Sequence, residues 1–321
     1  LLRIGVEFLW RLKRRPKVGI ERFKGAALSV LIIALLMVSL LLISAGAAWG
    51  QNIEWIKQFG SFDDDDVEGV AVDASGNVYV AGETWGALPG QTSSDHNDAF
   101  VRKYDGSGNE LWTRQFGSSS YDSAWGAAVD TSGNIYVAGI TEGTLPRQTV
   151  LGYRDAFVRK YDGSGNELWI RQFGTSAEGW AHGVGVDGSG NVYVAGWAYG
   201  ALPGHGLAGE WDAFIRKYDG SGNELWTRQF GSSSGDSAHD IVVDTSGNVY
   251  VAGYTYGALP GQTSSGGGDA FVRKYDGSGN ELWTRQFGSL DYDEAEGVAV
   301  DSLGNVYAVS YTHLRAHETG R

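Results

Sequence analysis

The sequence contains no cysteine and little proline, and both absences narrow the range of folds and chemistries. With no cysteine among its 321 residues, the chain forms no disulfide bonds and has no cysteine nucleophile. Only five prolines stand against 49 glycines and many aromatic residues. This composition predicts many short strands that are connected by glycine-containing turns.

Positive charge is scarce in the middle of the chain. The formal net charge of −13 divides into +6 for residues 1–47, +1 for residues 308–321 and −20 for residues 48–307. A surface this acidic repels phosphate backbones. We therefore expect no nucleic-acid partner, and the charge favours cations or basic partners.

The amino end has the pattern of an export signal in residues 1–47. The basic stretch "KRRPK" (13–17) precedes a long apolar run (26–48), and Ala45-Gly46-Ala47 offers a small-x-small cleavage site. The run is long for a signal core and approaches the length of a membrane span. The sequence thus predicts a cleaved signal peptide or a retained membrane anchor. In either case the positive flank places the following domain outside the cytoplasm, with membrane contact through this segment alone.

The carboxyl end departs from the pattern of the rest of the chain. After Asp301 the expected motif is "GNVYVAG", but the chain reads "GNVYAVSYTHLRAHETGR". The last part resembles translated sequencing-adapter read-through. We expect residues 308–321 to be non-native, so His313 and His317 receive no functional role.

A 57-residue period runs through the rest of the chain. A Trp recurs every 57 residues, with an Asp 18 positions and an Asn 22 positions after each one. Strict periods of this size are typical of repeat architectures. The repeated tryptophans are Trp55, Trp112, Trp169, Trp226 and Trp283.

Each unit contains four strand-like runs. In the first unit they are "EGVAVD" (68–73), "VYVAG" (78–82), "DAFVRKYD" (98–105) and "ELWTRQFG" (110–117). Runs rich in Val, Tyr, Phe and Trp that are bounded by Gly-Asn turns are typical of strands. The fold class predicted for residues 61–307 is therefore an all-β propeller of four-stranded antiparallel blades, incomplete, with four full units and a partial fifth.

The position of each run in a blade also follows from its side chains. The small, apolar first run suits the crowded strand nearest the axis, and the last run suits the outer edge. Trp112 and Phe116 share one face of the outer run, so we expect them to pack between blades rather than to bind a ligand. Residues 48–60 hold a linker and an outer strand (52–60) that would complete the last blade of a closed ring.

These motifs resemble a known family. "GVAVDASGNVYVAG" and "GALPGQTSS" followed by "DAFVRKYDGSGNELWTRQFG" resemble the bacterial β-propeller repeat called SBBP, over about residues 52–307. The resemblance implies an exported bacterial propeller, often beside other surface domains. It implies no known catalytic residues.

The connections between strands separate into a constant end and a variable end. The tight turns "DASGN" and "DGSGN" barely change between units, whereas the longer loops at the opposite end change most. Binding residues gather in loops on a rigid scaffold, so we expect a protein or carbohydrate ligand at the variable end. Neutral drift in solvated loops is the alternative. The candidate ligand-binding residues are Glu68, Trp85, Trp125, His182, Trp197, Tyr199, His239, Tyr254, Tyr256 and Glu296.

A weak calcium motif lies in the constant turns. Asp105, Ser107 and Asn109 have the 1,3,5 oxygen spacing of a calcium loop. Asp and Gly-Asn at these positions are also ordinary turn residues, and a calcium loop usually adds a bidentate carboxylate further on. We therefore expect plain turn chemistry and no cofactor at these turns, with calcium as the alternative.

A second metal hypothesis concerns the variable end. His182 and His239 occupy equivalent positions in adjacent units, and Glu68 and Glu296 occupy the same position in two others. Propeller symmetry would bring these side chains toward one channel, where they could hold a transition metal. The alternative is a set of polar residues that line a wet channel.

The sequence holds no pattern typical of a catalytic site. It lacks a Gly-x-Ser-x-Gly elbow and an HExxH motif, and no acid and base are recognisable as a pair. We expect an exported bacterial propeller that acts as a noncovalent binding or scaffolding module at or outside the cell surface. The alternatives are the platform of a secreted carbohydrate-active or other enzyme whose catalytic part lies outside this fragment, and a structural spacer.

Overall fold

The computed structural model describes residues 53–94 and 96–312. The chain divides into two units, Leu1–Ile53 and Glu54–Arg321, and the repeats lie in the second. The predicted signal or anchor in residues 1–47 and the tail residues 313–321 lie outside the described residues. Among the residues that the structure describes, no helix has the length and apolar character needed to cross a membrane.

Every strand of the repeats belongs to a small antiparallel sheet. There are four four-stranded sheets and one two-stranded sheet in the described part of the chain, and each sheet is one blade. Blades 1 and 2 consist of β1 (Asp65–Val72), β2 (Val78–Thr84), β3 (Asp98–Tyr104), β4 (Glu110–Phe116), β5 (Asp122–Val129), β6 (Ile135–Thr141), β7 (Asp155–Tyr161) and β8 (Glu167–Phe173). Blades 3, 4 and the partial blade 5 consist of β9 (Gly179–Val186), β10 (Val192–Tyr199), β11 (Trp211–Tyr218), β12 (Glu224–Phe230), β13 (Asp236–Val243), β14 (Val249–Thr255), β15 (Asp269–Tyr275), β16 (Glu281–Phe287), β17 (Asp293–Val300) and β18 (Val306–Thr312).

The order of strands in a blade is the order along the chain. Each strand pairs with the next, and the first strands of consecutive blades pack against one another, which places them nearest the axis. This confirms the predicted propeller, its four-stranded blades, its inner-to-outer strand order and its incomplete fifth unit. The inner strand begins at Asp65, three residues before the predicted run, because Asp65 and Asp66 pair with Thr84 and Glu83 of β2.

The hydrophobic core lies between the blades. Trp112 and Phe116 of β4 contact Tyr161 and Phe157 of the next blade, with ring centroids 6.3 and 5.7 Å apart. This confirms the predicted packing role of the repeated Trp and Phe. Large, fully buried side chains recur at two positions of each complete blade, Tyr79, Tyr136, Tyr193 and Tyr250 on the second strand and Phe100, Phe157, Phe214 and Phe271 on the third.

The outer strands of blades 1 to 3 also hold the outer tight turn of the blade that follows. Trp112 Nε1 donates to the Gly163 carbonyl at 3.1 Å, and Arg114 Nε donates to the Gly165 carbonyl at 2.7 Å. Gly165 has a φ of +80°, a left-handed conformation that glycine adopts without strain. The constant turns therefore link neighbouring blades as well as strands.

Residues 53–60, which precede β1, make the side-chain contacts of an outer strand but are not part of a sheet. Residues 53–60 form no strand in the structure. Even so, Trp55 Nε1 donates to the Gly106 carbonyl at 3.1 Å, and the Phe59 ring lies 5.6 Å from that of Phe100. A ladder needs a partner strand, which in a closed ring would come from the last blade. That residues 53–60 close a ring stays a prediction.

Both ends of the described array expose apolar side chains. Val70 and Val72 of β1 are 64% and 59% exposed, and Val309 of β18 is 69% exposed. Residues 308–312 complete β18, and their predicted non-native origin stays a prediction. The residues that the structure describes thus form four complete blades and two strands of a fifth.

Candidate functional site

The inner strand of every blade contains a β-bulge at the same position. In blade 1, Val67 pairs with Gly82 and Gly69 pairs with Ala81, which leaves Glu68 without a partner. A bulge bends its strand and redirects the side chain of the unpaired residue. The five bulge residues are Glu68, Trp125, His182, His239 and Glu296.

The bulge residues meet at one cavity, which we call the channel cavity. It measures about 390 Å³ and is lined by all five of these side chains. Because the inner strands stand side by side around the axis, equivalent residues of successive blades converge. These residues share one phase of the sequence repeat, and the structure brings their side chains together. The sequence did not reveal the bulge.

Burial lowers the pKa of both imidazoles of the channel cavity. Desolvation, with a smaller contribution from His239, lowers the pKa of His182 to about 3. The buried His182 Nε2 has no hydrogen-bond partner among the described residues. Burial also lowers the pKa of His239. Neutral imidazoles offer a lone pair to a ligand or metal ion.

The carboxylates of the channel cavity are shifted in the opposite direction. Burial and then the neighbouring Glu294 raise the pKa of Glu296 to about 7. Burial, Glu83 and Asp66 raise the pKa of Glu68. Glu296 Oε2 lies 3.5 Å from His239 Nδ1, a contact that is an ion pair only when the imidazole is protonated.

An aromatic cavity of about 500 Å³ lies beside the channel cavity. Trp197 stacks on Trp180 with ring centroids 5.4 Å apart and planes at 18°. Trp180 Nε1 donates to Glu178 Oε2 at 3.4 Å. Apolar pockets with few polar groups are typical ligand sites. The side chains that line this cavity are Ala177, Glu178, Trp197, Tyr199, Trp211 and Tyr254.

The two cavities share a continuous set of rings, which we call the aromatic network. Trp180 lies 4.9 Å from Trp125, and His239 lies 5.2 Å from both His182 and Tyr254, measured between ring centroids. The network crosses from blade 2 to blade 5. Its members are Trp125, Trp180, His182, Trp197, Trp211, His239, Tyr254, Tyr256 and Tyr292.

Trp85 is the candidate residue that the structure places apart. It is 52% exposed and lines a separate cavity of about 280 Å³ with His96 and Tyr121. Glu178, Trp180, Glu294 and Tyr292 were missing from the predicted site. Glu178 and Trp180 lie in the variable segment "TSAEGW" (175–180), and this variability could have indicated them. The packing of the segment depends on the neighbouring blade.

The predicted calcium turn lies at the other end of the blades. Asp105 Oδ1 accepts from the backbone N–H groups of Ser107 and Asn109, at 2.9 and 2.8 Å. Asp105 Oδ2 accepts from the Asn109 side-chain amide at 2.9 Å, and these bonds lower the pKa of Asp105. A calcium ion would have to replace them. Calcium at this turn stays a prediction.

Similar proteins of known sequence include two much longer ones. Regulatory protein FlaEY of Caulobacter vibrioides is 30% identical over 194 residues, which cover 54% of this chain and 20% of that protein. An uncharacterized WD repeat-containing protein of Acanthamoeba polyphaga mimivirus is 22% identical over 230 residues, 56% of this chain and 17% of that protein. This chain thus spans about a fifth of the length of the curated relatives that it matches.

Similar solved structures include two enzymes. A gluconolactonase of Xanthomonas campestris is 15% identical with a TM-score of 0.42, over 76% of this chain and 68% of that chain. An apocarotenoid oxygenase of Synechocystis is 12% identical with a TM-score of 0.42, over 77% of this chain and 57% of that chain. At this level of identity and overlap, neither bears on the function of this chain.

The repeats themselves match a family model. The SBBP beta-propeller repeat matches five segments, which are residues 54–89, 111–145, 168–203, 225–260 and 282–313. Together these segments make up more than half of the chain, and each one begins near a repeated Trp. The chain therefore belongs to the SBBP beta-propeller repeat family.

Proposed function

We propose that this chain is the propeller of an exported bacterial protein and serves as a noncovalent binding module at or outside the cell surface. Its ligand is a protein or a carbohydrate that docks at the variable end of the blades. The observation that carries the proposal is that residues differing between repeats line two adjoining cavities.

The distribution of the variable residues favours binding over drift. Drift in solvated loops would leave mostly small polar residues scattered among the blades. Here the aromatic network concentrates Trp, Tyr and His side chains on one surface, and Trp and Tyr are enriched where proteins recognise ligands. Tyr199 and Tyr256 are 50% and 41% exposed, so part of this surface is open to a ligand.

The aromatic cavity indicates the chemistry of the ligand. Trp197 and Tyr199 offer flat ring faces, and Glu178 offers a carboxylate acceptor beside them. A sugar ring has an apolar face and hydroxyl donors that fit this combination. A peptide side chain with a flat apolar part and a donor would also fit.

Export is supported by the amino-terminal pattern. The basic stretch (13–17) and the apolar run (26–48) have the order of a signal sequence. A fusion of residues 1–60 to a reporter that is active only outside the cytoplasm tests this part. An inactive reporter, with the fusion protein present in the cytoplasm, would refute export.

A binding experiment tests the function. The full chain is screened against a glycan array and a panel of extracellular bacterial proteins, and Trp197→Ala is compared with Trp85→Ala. Loss of one stacking ring is expected to weaken binding about tenfold or more for Trp197→Ala and less than twofold for Trp85→Ala. Equal effects of the two variants, or no ligand in either panel, would refute the proposal. Turnover of a bound glycan would indicate the enzyme alternative instead.

A further inference from the structure

A compact group of metal-ligating side chains lies where blade 4 meets blade 5. One ligand atom each of His239, Glu294 and Glu296 lies within 4.8 Å of the others. His239 and Glu296 are bulge residues of β13 and β17, so the backbone directs both toward the channel cavity. Tyr292 donates its hydroxyl to Glu294 Oε2 at 2.6 Å. Such a bond orients a ligating carboxylate from outside the coordination shell.

The group is specific to this interface and does not follow from the repeat. Ser237 and His239 of blade 4 occupy the positions that Glu294 and Glu296 occupy in blade 5. At these two positions blade 4 therefore carries a hydroxyl and an imidazole where blade 5 carries two carboxylates. An imidazole with two carboxylates occurs at the blade 4–blade 5 interface alone within residues 53–94 and 96–312.

A second observation points to a missing ligand in the same cavity. His182 lines the channel cavity beside His239, with ring centroids 5.2 Å apart. Its Nε2 is buried and has no hydrogen-bond partner among the described residues. Buried polar atoms in proteins are almost always partnered, so an unpartnered one at a cavity marks a position for water, an ion or a ligand.

We propose that His239, Glu294 and Glu296 bind a divalent metal ion of the zinc class, with the remaining coordination position open to the channel cavity. One imidazole with carboxylates is a donor set for borderline divalent metals, whereas calcium and magnesium take oxygen ligands. Two neighbouring carboxylates repel each other, and a divalent cation between them removes that repulsion. A water on the open position would provide the partner that His182 Nε2 lacks.

The geometry needs a small adjustment to bind the ion. Ligand atoms around a tetrahedral zinc ion lie about 3.3 Å apart, somewhat closer than the present separations. The Glu296 side chain is 56% exposed, so its carboxylate can rotate toward His239 without displacing core residues. Three protein ligands and an open position are typical of zinc sites that bind a further group.

Zinc titration of the full chain in detergent tests the proposal. After dialysis against a chelator, Zn²⁺ is added and binding is followed by calorimetry. Cobalt is then used in its place, because its visible absorption reports tetrahedral coordination. We expect one zinc ion per chain in the wild type. Affinity should fall at least about tenfold in His239→Gln, Glu294→Gln and Glu296→Gln.

His205→Gln and Glu178→Gln are the matched controls, since both residues lie outside the cluster, and we expect less than a twofold change in affinity. Circular dichroism in chelator verifies folding, and the half-exposed Glu296 keeps the test valid if His239→Gln fails to fold. No stoichiometric zinc binding, equal losses in cluster and control variants, or binding of Ca²⁺ without Zn²⁺ would each overturn the proposal. The titration uses no carbohydrate or protein ligand, so its result is separate from that of the binding experiment.

Discussion

The two ends of each blade are made from the same strands but differ in almost every other respect. At the turn end, Asp73 accepts from the Asn77 side chain at 2.7 Å, and Asp130 accepts from Asn134 at the same distance. At the bulge end, equivalent positions hold Glu, Trp, His, His and Glu. The turn end carries bonds that the fold needs in every blade. The five bulge positions are free to differ, because their side chains line the channel cavity rather than the core.

The electrostatics of the two ends also differ in sign. Hydrogen bonds to the Asn at the turn lower the pKa of Asp105, Asp162, Asp219 and Asp276 at the turn end. Burial raises the pKa of Glu68, Asp122, Asp236, Asp240 and Glu296 at the bulge end. The pKa values of these carboxylates are therefore lowered at the turns and raised at the bulge end. This is the environment in which perturbed, functional groups are found.

The largest expected effect compares two tryptophans. Trp169 is 8% exposed, packs on Tyr218 and donates to the Gly220 carbonyl at 3.1 Å. Trp169→Ala should lower the free energy of unfolding by about 3–5 kcal/mol. Trp197→Ala at the aromatic cavity should lower it by only about 1 kcal/mol. Denaturant unfolding followed by circular dichroism measures both. Equal losses would mean that the aromatic network belongs to the framework.

The second prediction concerns pH. Burial raises the pKa of Asp122 and Asp236 to about 6, so between pH 4 and 6 the folded chain holds protons that the unfolded chain releases. The free energy of unfolding should therefore fall as the pH rises through this window, by about 2 kcal/mol for each group. The turn carboxylates have lowered pKa values, so they stabilise the fold only while ionised. Below pH 4 the free energy of unfolding should therefore fall as the pH falls.

Thermal unfolding from pH 3 to 8 measures this dependence, and a maximum near pH 4 is expected. Blade 3 has Gly179 at the equivalent position and contributes no such group. Asp122→Asn should remove the contribution of one such group, about 2 kcal/mol, from the decrease between pH 4 and 6. A stability that rises with pH across this window would contradict the assignment.

The third prediction separates two kinds of constant turn. Gly165 and Gly190 both have positive φ angles, +80° and +79°. A Cβ at Gly190 would meet nothing within 4 Å, but at Gly165 it would lie 2.9 Å from the Trp112 ring of the preceding blade. Gly190→Ala should cost about 1–2 kcal/mol through backbone strain alone. Gly165→Ala should cost roughly 1 kcal/mol more, because Trp112 must move. Equal costs in denaturant unfolding would show that the outer turns do not link the blades.

The smallest expected effect lies in the aromatic cavity. Glu178 accepts from Trp180 Nε1, and glutamine keeps an acceptor there, so Glu178→Gln should change the free energy of unfolding by less than about 0.5 kcal/mol. Glu142→Gln should cost more, because Arg154 Nη2 lies 2.7 Å from Glu142. Differential scanning calorimetry compares the two. A large loss in Glu178→Gln would move this residue from the binding surface to the framework.

Much of the fold was predictable because the sequence of one blade recurs several times along the chain. The 57-residue period, the strand pattern and the repeated Trp and Phe positions led to the number of strands, their order and the packing of Trp112 and Phe116 between blades. The true start of β1 was missed because Asp65 and Asp66 are poor strand residues that pair only when β2 is beside them. Residues 53–60 have the sequence pattern of an outer strand, but they form no ladder because no partner strand lies beside them among the described residues.

The candidate site was predictable only in part. Repeat phase alone grouped the five bulge residues, because equivalent positions converge in a propeller. It also grouped Trp85 with the others, yet this side chain lies at a different cavity. Glu178 and Glu294 were missed because the repeat marks them as loop or strand-entry residues, and only the neighbouring blade makes them part of a site.

The sequence by itself determined the all-β class, the blade as the repeating unit and the division into a constant and a variable end. These properties follow from local patterns and from positions that recur at a fixed period. The tertiary structure alone decided that five of the variable residues sit on bulges, that nine rings form the aromatic network and that His239 meets Glu294 and Glu296. Those contacts join residues from different blades, and their distances depend on how neighbouring sheets twist and pack.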